Sequence, residues 1–278
     1  EQGICSRREA DRLIEAGKVT IDGRKAQMGE KVTGQEVIVC DGKPVGKAAG
    51  GKKVKPVLLV VNKPRGVVCT TSDKDRAVNV VDLIQYPARV YPVGRLDKDS
   101  EGLLLMTNQG DIVNKILRGG NAHEKEYAVA VDHPVTEEFL KQMCEGVRIE
   151  DLDVTTKPCR AWKTGSHTFH IVLTQGLNRQ IRRMCEYFGY RVQKLVRVRI
   201  MNIELGDLES GKYRDVTPEE FKKLKQLIAH SSNQPVRPME KSQKSKRKPR
   251  NSAIHGTYTV VNHHIDRENK NGNRKATD

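Results

Sequence analysis

The feature that most constrains this chain is the stretch Gly94-Arg95-Leu96-Asp97-Lys98-Asp99-Ser100-Glu101-Gly102-Leu103-Leu104-Leu105-Met106-Thr107-Asn108. A charged loop carrying Arg95, Asp97, Lys98 and Asp99 lies between two apolar runs, Val90 to Val93 and Leu103 to Met106. Gly94 and Gly102 bracket it, and glycine lets a backbone turn sharply or approach a ligand closely. Strand–loop–strand with charge at the loop is where folds tend to place reactive groups. Composition alone favours an ordinary charged surface turn.

At 278 residues the chain has room for one large domain and a smaller one. Its formal net charge of +15 points to a polyanionic partner. The excess is uneven: residues 231–278 hold 11 Lys/Arg against 4 Asp/Glu, and residues 1–230 hold 39 against 31. Nucleic-acid binding by the folded part therefore cannot rest on total charge. Six cysteines lie far apart with no C-x-x-C pair, which argues against a zinc ribbon or a secreted disulfide scaffold. No apolar run approaches membrane-spanning length and no signal peptide opens the chain. A soluble, cytoplasmic monomer with reduced thiols and no membrane partner is expected. Metal-ligand clusters and phosphate-binding glycine motifs are missing from the sequence, so neither metal nor organic cofactor is expected.

In chain order, Ser6-Arg7-Arg8-Glu9 is a capping-box pattern opening a helix to Ala16. Val19 to Ile21 reads as a strand, Asp22-Gly23 as a tight turn and Glu36 to Cys40 as a returning strand. Arg7, Arg8, Arg12 and Lys18 project from this unit, residues 1–45. A Gly/Lys-rich linker over 46–55 marks a boundary, a second domain spans 56–230, and 231–278 reads as a basic disordered tail. Within the second domain, Val57 to Val61 predicts a buried strand, followed by an Asn62-Lys63-Pro64-Arg65-Gly66 turn and a strand Val67 to Thr71. Helices are predicted over Val78 to Ile84, Asp111 to Leu117 (stopped by Gly119-Gly120), Glu137 to Glu145 and from Asn178, as cap, to Phe188. Strands are predicted at Tyr127 to Val131, Val154 to Lys163 and Thr168 to Thr174, and a last helix from the Thr217-Pro218 start.

The stretch from Gly94 resembles the GRLDxxSxGLLLxTNxG motif of the RsuA-type pseudouridine synthases, a family that isomerises uridine within folded RNA. Three further stretches follow in the family's order: Asn62-Lys63-Pro64-Arg65-Gly66 resembles NKPxG, Lys125-Glu126-Tyr127 resembles KxY, and Gly176 to Arg182 resembles GxxxQIR. Residues Ser6 to Gly23 resemble the S4 RNA-binding module, and the chain opens inside that pattern. The resemblance implies an α+β protein: a small S4-like module, then a catalytic domain with a mixed, mostly antiparallel bent sheet. It implies that Asp97 is the catalytic nucleophile, that Arg182 pairs with it, that Tyr127 lies against the target uracil, and that Leu195 is an apolar wall beside that base. Arg7, Arg8, Arg12, Lys18, Arg95, Arg179 and Arg183 are candidate RNA contacts. Lys63 either touches RNA or supports its loop.

This implied chemistry is self-consistent. Pseudouridine formation breaks the bond from ribose C1′ to uracil N1 and rejoins the base through C5, so no redox partner is required. A carboxylate must stay ionised beside the nucleoside, and a nearby arginine opposes the neutralising effect of burial. The uridine must leave its stack to reach it. Asp99 is the rival carboxylate, which could instead order the loop through backbone N–H groups. Asn121 to Tyr127 and Arg199 to Asn202 look closest to the RluF branch, whose members modify 23S large-subunit ribosomal RNA and in some cases the anticodon loop of tyrosine tRNA. The alternatives are a small-subunit 16S rRNA synthase and a non-catalytic RNA-binding assembly factor.

Overall fold

The computed structural model describes residues 5–45, 55–70, 77–117 and 122–231. The expected linker, the basic tail, the Thr71 strand end and the Gly119-Gly120 helix stop lie almost wholly outside them.

Helix α1 (Arg7–Glu15) starts where the pattern placed it: the Ser6 hydroxyl accepts the Glu9 N–H at 3.1 Å. Strands β1 (Val19–Ile21), β2 (Arg24–Lys25), β3 (Ile38–Cys40) and β4 (Lys43–Val45) form an antiparallel sheet in the order β2-β1-β3-β4. Asp22 and Gly23 both take positive φ, 49° and 82°, as a two-residue hairpin requires.

The larger part is built on a nine-stranded sheet. Its path runs β11 (Arg160–Gly165), β12 (Thr168–Leu173), β8 (Lys125–Val131), β13 (Val192–Ile200), β7 (Glu101–Thr107), β5 (Leu58–Lys63), β15 (Tyr213–Asp215). Two short strands lie off this path: β6 (Tyr91–Val93) pairs with β7, and β14 (Ile203–Glu204) with β13. Every pairing is antiparallel except β7 with β13, which runs parallel through only Val196–Glu101 and Arg197–Gly102. Two antiparallel halves thus meet at one short parallel seam.

The apolar runs explain why β5 and β7 sit centrally. Leu58, Val60, Leu103 and Leu105 face one cluster, with Ile116 of α3 (Gly110–Leu117) and Leu224 of α6 (Pro218–Leu227). Leu59, Val61, Leu104 and Met106 face the other, with Val80 and Ile84 of α2 (Val80–Ile84) and Leu96 of the charged loop. A strand covered on both faces needs apolar residues at every position. A third cluster joins β8, β12 and β13 to α4 (Glu137–Glu145) and α5 (Gln180–Tyr187) through Phe139, Met143, Phe169, Ile171, Ile181 and Met184.

Three local expectations need correction. Val67 to Thr70 form no strand: Val68 makes one isolated bridge to Asn79, because Asn79 immediately caps α2 through the N–H groups of Val81 and Asp82. Val154 to Lys163 divides into β10 (Val154–Thr155), paired with β9 (Arg148–Ile149), and β11. Pro158, which has no N–H for a ladder, lies in the gap. Asn178 does not cap α5; the N-cap is Arg179, at φ 51°, without a side-chain cap bond.

Candidate active site

The site forms where β7 changes partner. Along one edge, β7 pairs with β6 at Leu105 to Thr107 and with β13 at Glu101 and Gly102. The loop from Gly94 to Ser100 is extruded at that exchange. Gly102 makes the exchange possible, since a Cβ there would lie 2.4 Å from the Arg197 carbonyl oxygen and 2.8 Å from its nitrogen, at φ 99°. No side chain fits so close an approach.

The loop is pinned from below. Lys63 is fully buried, and its ammonium donates to the carbonyls of Pro64 (2.8 Å) and Val67 (2.9 Å). The turn so fixed presents the Gly66 N–H to the Lys98 carbonyl at 2.8 Å. Leu96 is buried in the core and its N–H meets Cys69 Sγ at 3.3 Å, while the Ser100 N–H closes on the Asp97 carbonyl at 3.1 Å. Asp97 therefore has its backbone neighbours held on both sides. Lys63 is thus closed off beneath the loop it supports, and burial lowers its pKa against the opposing pull of nearby acidic groups, Asp97 among them.

Above the loop lies a cavity of about 510 Å³, lined by Arg95, Asp97, Tyr127, Arg179 and Leu195. Five of the residues singled out from the sequence thus share one cavity. Tyr127 is half-buried and packs against two of the core clusters, and Leu195 is buried. Arg182 is brought close but differently from expectation. Its guanidinium donates to the Asp99 carbonyl at 3.0 Å and the Val192 carbonyl at 3.2 Å, and Nε has no partner. It makes no ion pair with Asp97 among the described residues. Burial is the main cause of its lowered pKa, helped by Arg179 and opposed by the fields of Asp99 and Asp97. Arg182 supports the loop backbone and lends positive potential from behind.

Asp99 is exposed and lies 3.9 Å from Arg179, so it acts at the rim. Arg183 is tied to Asp151 and to the Asn178 carbonyl and does not line the cavity. Arg7, Arg8, Arg12 and Lys18 are all exposed on the N-terminal module; Arg12 pairs with Glu9 and Lys18 with Asp41. Exposed pairs of this kind are worth at most about 1 kcal/mol, so a phosphate can displace them.

Two cations in the cavity wall stand outside the sequence expectations, Lys125 and Arg197. Lys125 is two residues from Tyr127 on β8, and Arg197 two from Leu195 on β13. The period of two in a strand, applied to the residues already singled out, puts each on the cavity face. Burial first, then Arg197, brings the Lys125 pKa down to about 8.

Residues 57–187 match the RNA pseudouridylate synthase family, and residues 1–38 match the S4 domain. The chain is 49% identical over 254 residues to the dual-specificity RNA pseudouridine synthase RluF of Salmonella typhi, covering 91% of this chain and 84% of that one. It is 35% identical to the ribosomal large subunit pseudouridine synthase B of Bacillus subtilis, covering 83% and 95%. A solved pseudouridylate synthase superposes with a TM-score of 0.60 at 26% identity, covering 80% and 95%. With that fold, that coverage and a carboxylate-bearing cavity at the seam, the chain belongs to the RNA pseudouridine synthase family, isomerases that convert uridine to pseudouridine in RNA.

Proposed function

We propose that this enzyme isomerises a uridine of 23S large-subunit ribosomal RNA, and a uridine in the anticodon loop of tyrosine tRNA, with Asp97 as the nucleophile. The observation that carries the chemistry is Asp97, half-buried in a cavity whose other charged lining groups, Arg95, Lys125, Arg179 and Arg197, are all cations. The positive potential of those four neighbours draws in RNA and surrounds the carboxylate with hydrogen-bond donors. Tyr127 offers a ring face to the extruded base, and Leu195 a dry wall. The paired substrates are supported by the dual-specificity name of the relative at 49% identity, and the large subunit by the name of the Bacillus relative. Exposed arginines on α1 would hold RNA phosphates beside the target, since their planar forks bind phosphate oxygens in pairs. Pseudouridine mapping of ribosomal and transfer RNA from cells lacking the gene tests the assignment. Loss of one large-subunit site and one tyrosine-tRNA site is expected. Loss of a small-subunit site instead would overturn it.

A further inference from the structure

Residues lining the cavity carry buried hydrogen-bond donors that have no partner among the described residues. Arg197 is 4% exposed; its Nε donates to the Leu103 carbonyl at 2.7 Å, but Nη2 has no partner. Ser100 is 1% exposed and its hydroxyl has no partner, and neither does Gln175 Nε2. Lys125 makes one long bond, 3.3 Å, to the His123 carbonyl. All four residues line the same cavity. None of the ion pairs among the described residues involves Lys125 or Arg197, although the two cations repel one another. A buried donor without an acceptor is unfavourable, so several around one cavity point to an acceptor that binds there.

We propose that Lys125 and Arg197 hold the carbonyl oxygens of the target uracil and stabilise the negative charge that the base carries when its bond to the sugar breaks. When the C1′–N1 bond opens, the base takes the bonding pair, and the charge spreads onto its ring oxygens. Attack of a carboxylate on ring C6 instead would load O4. Either way the bond to the carboxylate breaks again, at C1′ as C5 attacks or at C6 by elimination, and the base bonds to C1′ through C5, loses the C5 proton to solvent and gains one at N1, so atoms and charge balance. Lysine and arginine donate and never accept. The pair therefore fits the O4 of uracil and rejects the amino group that cytosine presents at that position. A backbone phosphate is the weaker candidate, because Arg197 is almost wholly buried and the wall beside it is apolar, with Leu195 and Ile200.

The inference deepens the proposed function at the same site, and its test does not depend on which uridine is the target. RNA from cells lacking the gene, tritiated at uridine C5, releases tritium at every turnover whatever the position. Single-turnover release by the full-length enzyme is compared with RNA affinity for Lys125→Met, Lys125→Arg and Arg197→Lys, with melting temperatures in parallel. Lys125→Met should lower the rate about 100-fold with affinity within about threefold, in the range of lost oxyanion donors, and Lys125→Arg should recover most of it. Arg197→Lys should fall between. An affinity loss with an unchanged rate and a shallower salt dependence would make the pair a phosphate clamp and overturn the proposal. A rate loss that tracks the melting temperature and resists rescue by arginine would overturn it as well.

Discussion

At the scale of single residues, the site depends on a few positions where only one chemistry fits. Gly102 is the sharpest. A methyl group there meets backbone of β13, which cannot yield as a flexible side chain would. Gly102→Ala should cost about 3 kcal/mol or more, read by denaturant unfolding, and should abolish activity by pushing the two sheet halves apart. Lys125 carries a pH prediction. The groups sharing its cavity are Arg197 from β13, Asp97 and Arg95 from the loop, Tyr127 on its own strand and Arg179 before α5. Its pKa is lowered to about 8, so it is charged below that pH and neutral above it. If the charged form serves the reaction, the single-turnover rate should fall as pH rises through about 8, and Lys125→Arg should remove that fall. Asp97, Tyr127 and Leu195 were legible because they sit in motifs with fixed spacing. Arg182 was legible as a neighbour but not in its partners: which carbonyls a guanidinium meets depends on loop closure across the Asp99–Arg182 separation, which spacing does not encode.

At the scale of elements, the strands that were read best are those whose burial is two-sided. Uninterrupted runs in β5 and β7 leave no other reading, whereas β2, β4, β9 and β14 are two or three residues each and carry no period to detect. The strand predicted at Val67 failed because one capping side chain, Asn79, outcompetes ladder pairing. The α5 start shows the same competition in reverse. Arg179 takes a left-handed conformation at the cavity rim, a cost of order 1 kcal/mol for a residue with a side chain. Arg179→Gly should therefore keep or slightly raise the melting temperature while weakening RNA binding, and Arg179→Ala should weaken binding without the gain. The turn under the loop from Gly94 to Ser100 makes a third case. Lys63→Met would leave the Pro64 and Val67 carbonyls without their donor, so a loss of about 1–3 kcal/mol is expected, with kcat falling more than RNA affinity.

For the whole molecule, charge placement matters more than total charge. The formal +15 is shared with a segment beyond residue 231, and the cavity itself balances four cations against Asp97. On the proposed reading, RNA affinity has two parts, a backbone part from the exposed arginines of the N-terminal module and a base part inside the cavity. Arg7→Ala with Arg8→Ala should weaken binding and leave the single-turnover rate at saturation unchanged. The salt dependence should flatten by about 0.7 in slope for each single-strand phosphate that is no longer neutralised. The seam brings the proposed site together: β13 brings Leu195 and Arg197, β8 brings Tyr127 and Lys125, and the loop before β7 brings Asp97. The sheet order behind it could not be read from local pattern, because one parallel pairing of two residues joins segments almost a hundred positions apart. The family resemblance implied a mixed, mostly antiparallel sheet, but not this order.

The most direct test of this account is conversion and binding by purified Asp97→Asn enzyme on RNA from cells lacking the gene. The substitution keeps shape and removes charge, so isomerisation should drop at least about a thousandfold while RNA affinity stays within about twofold. Isomerisation retained at near wild-type rate would show that the carboxylate at the centre of the cavity is not the nucleophile.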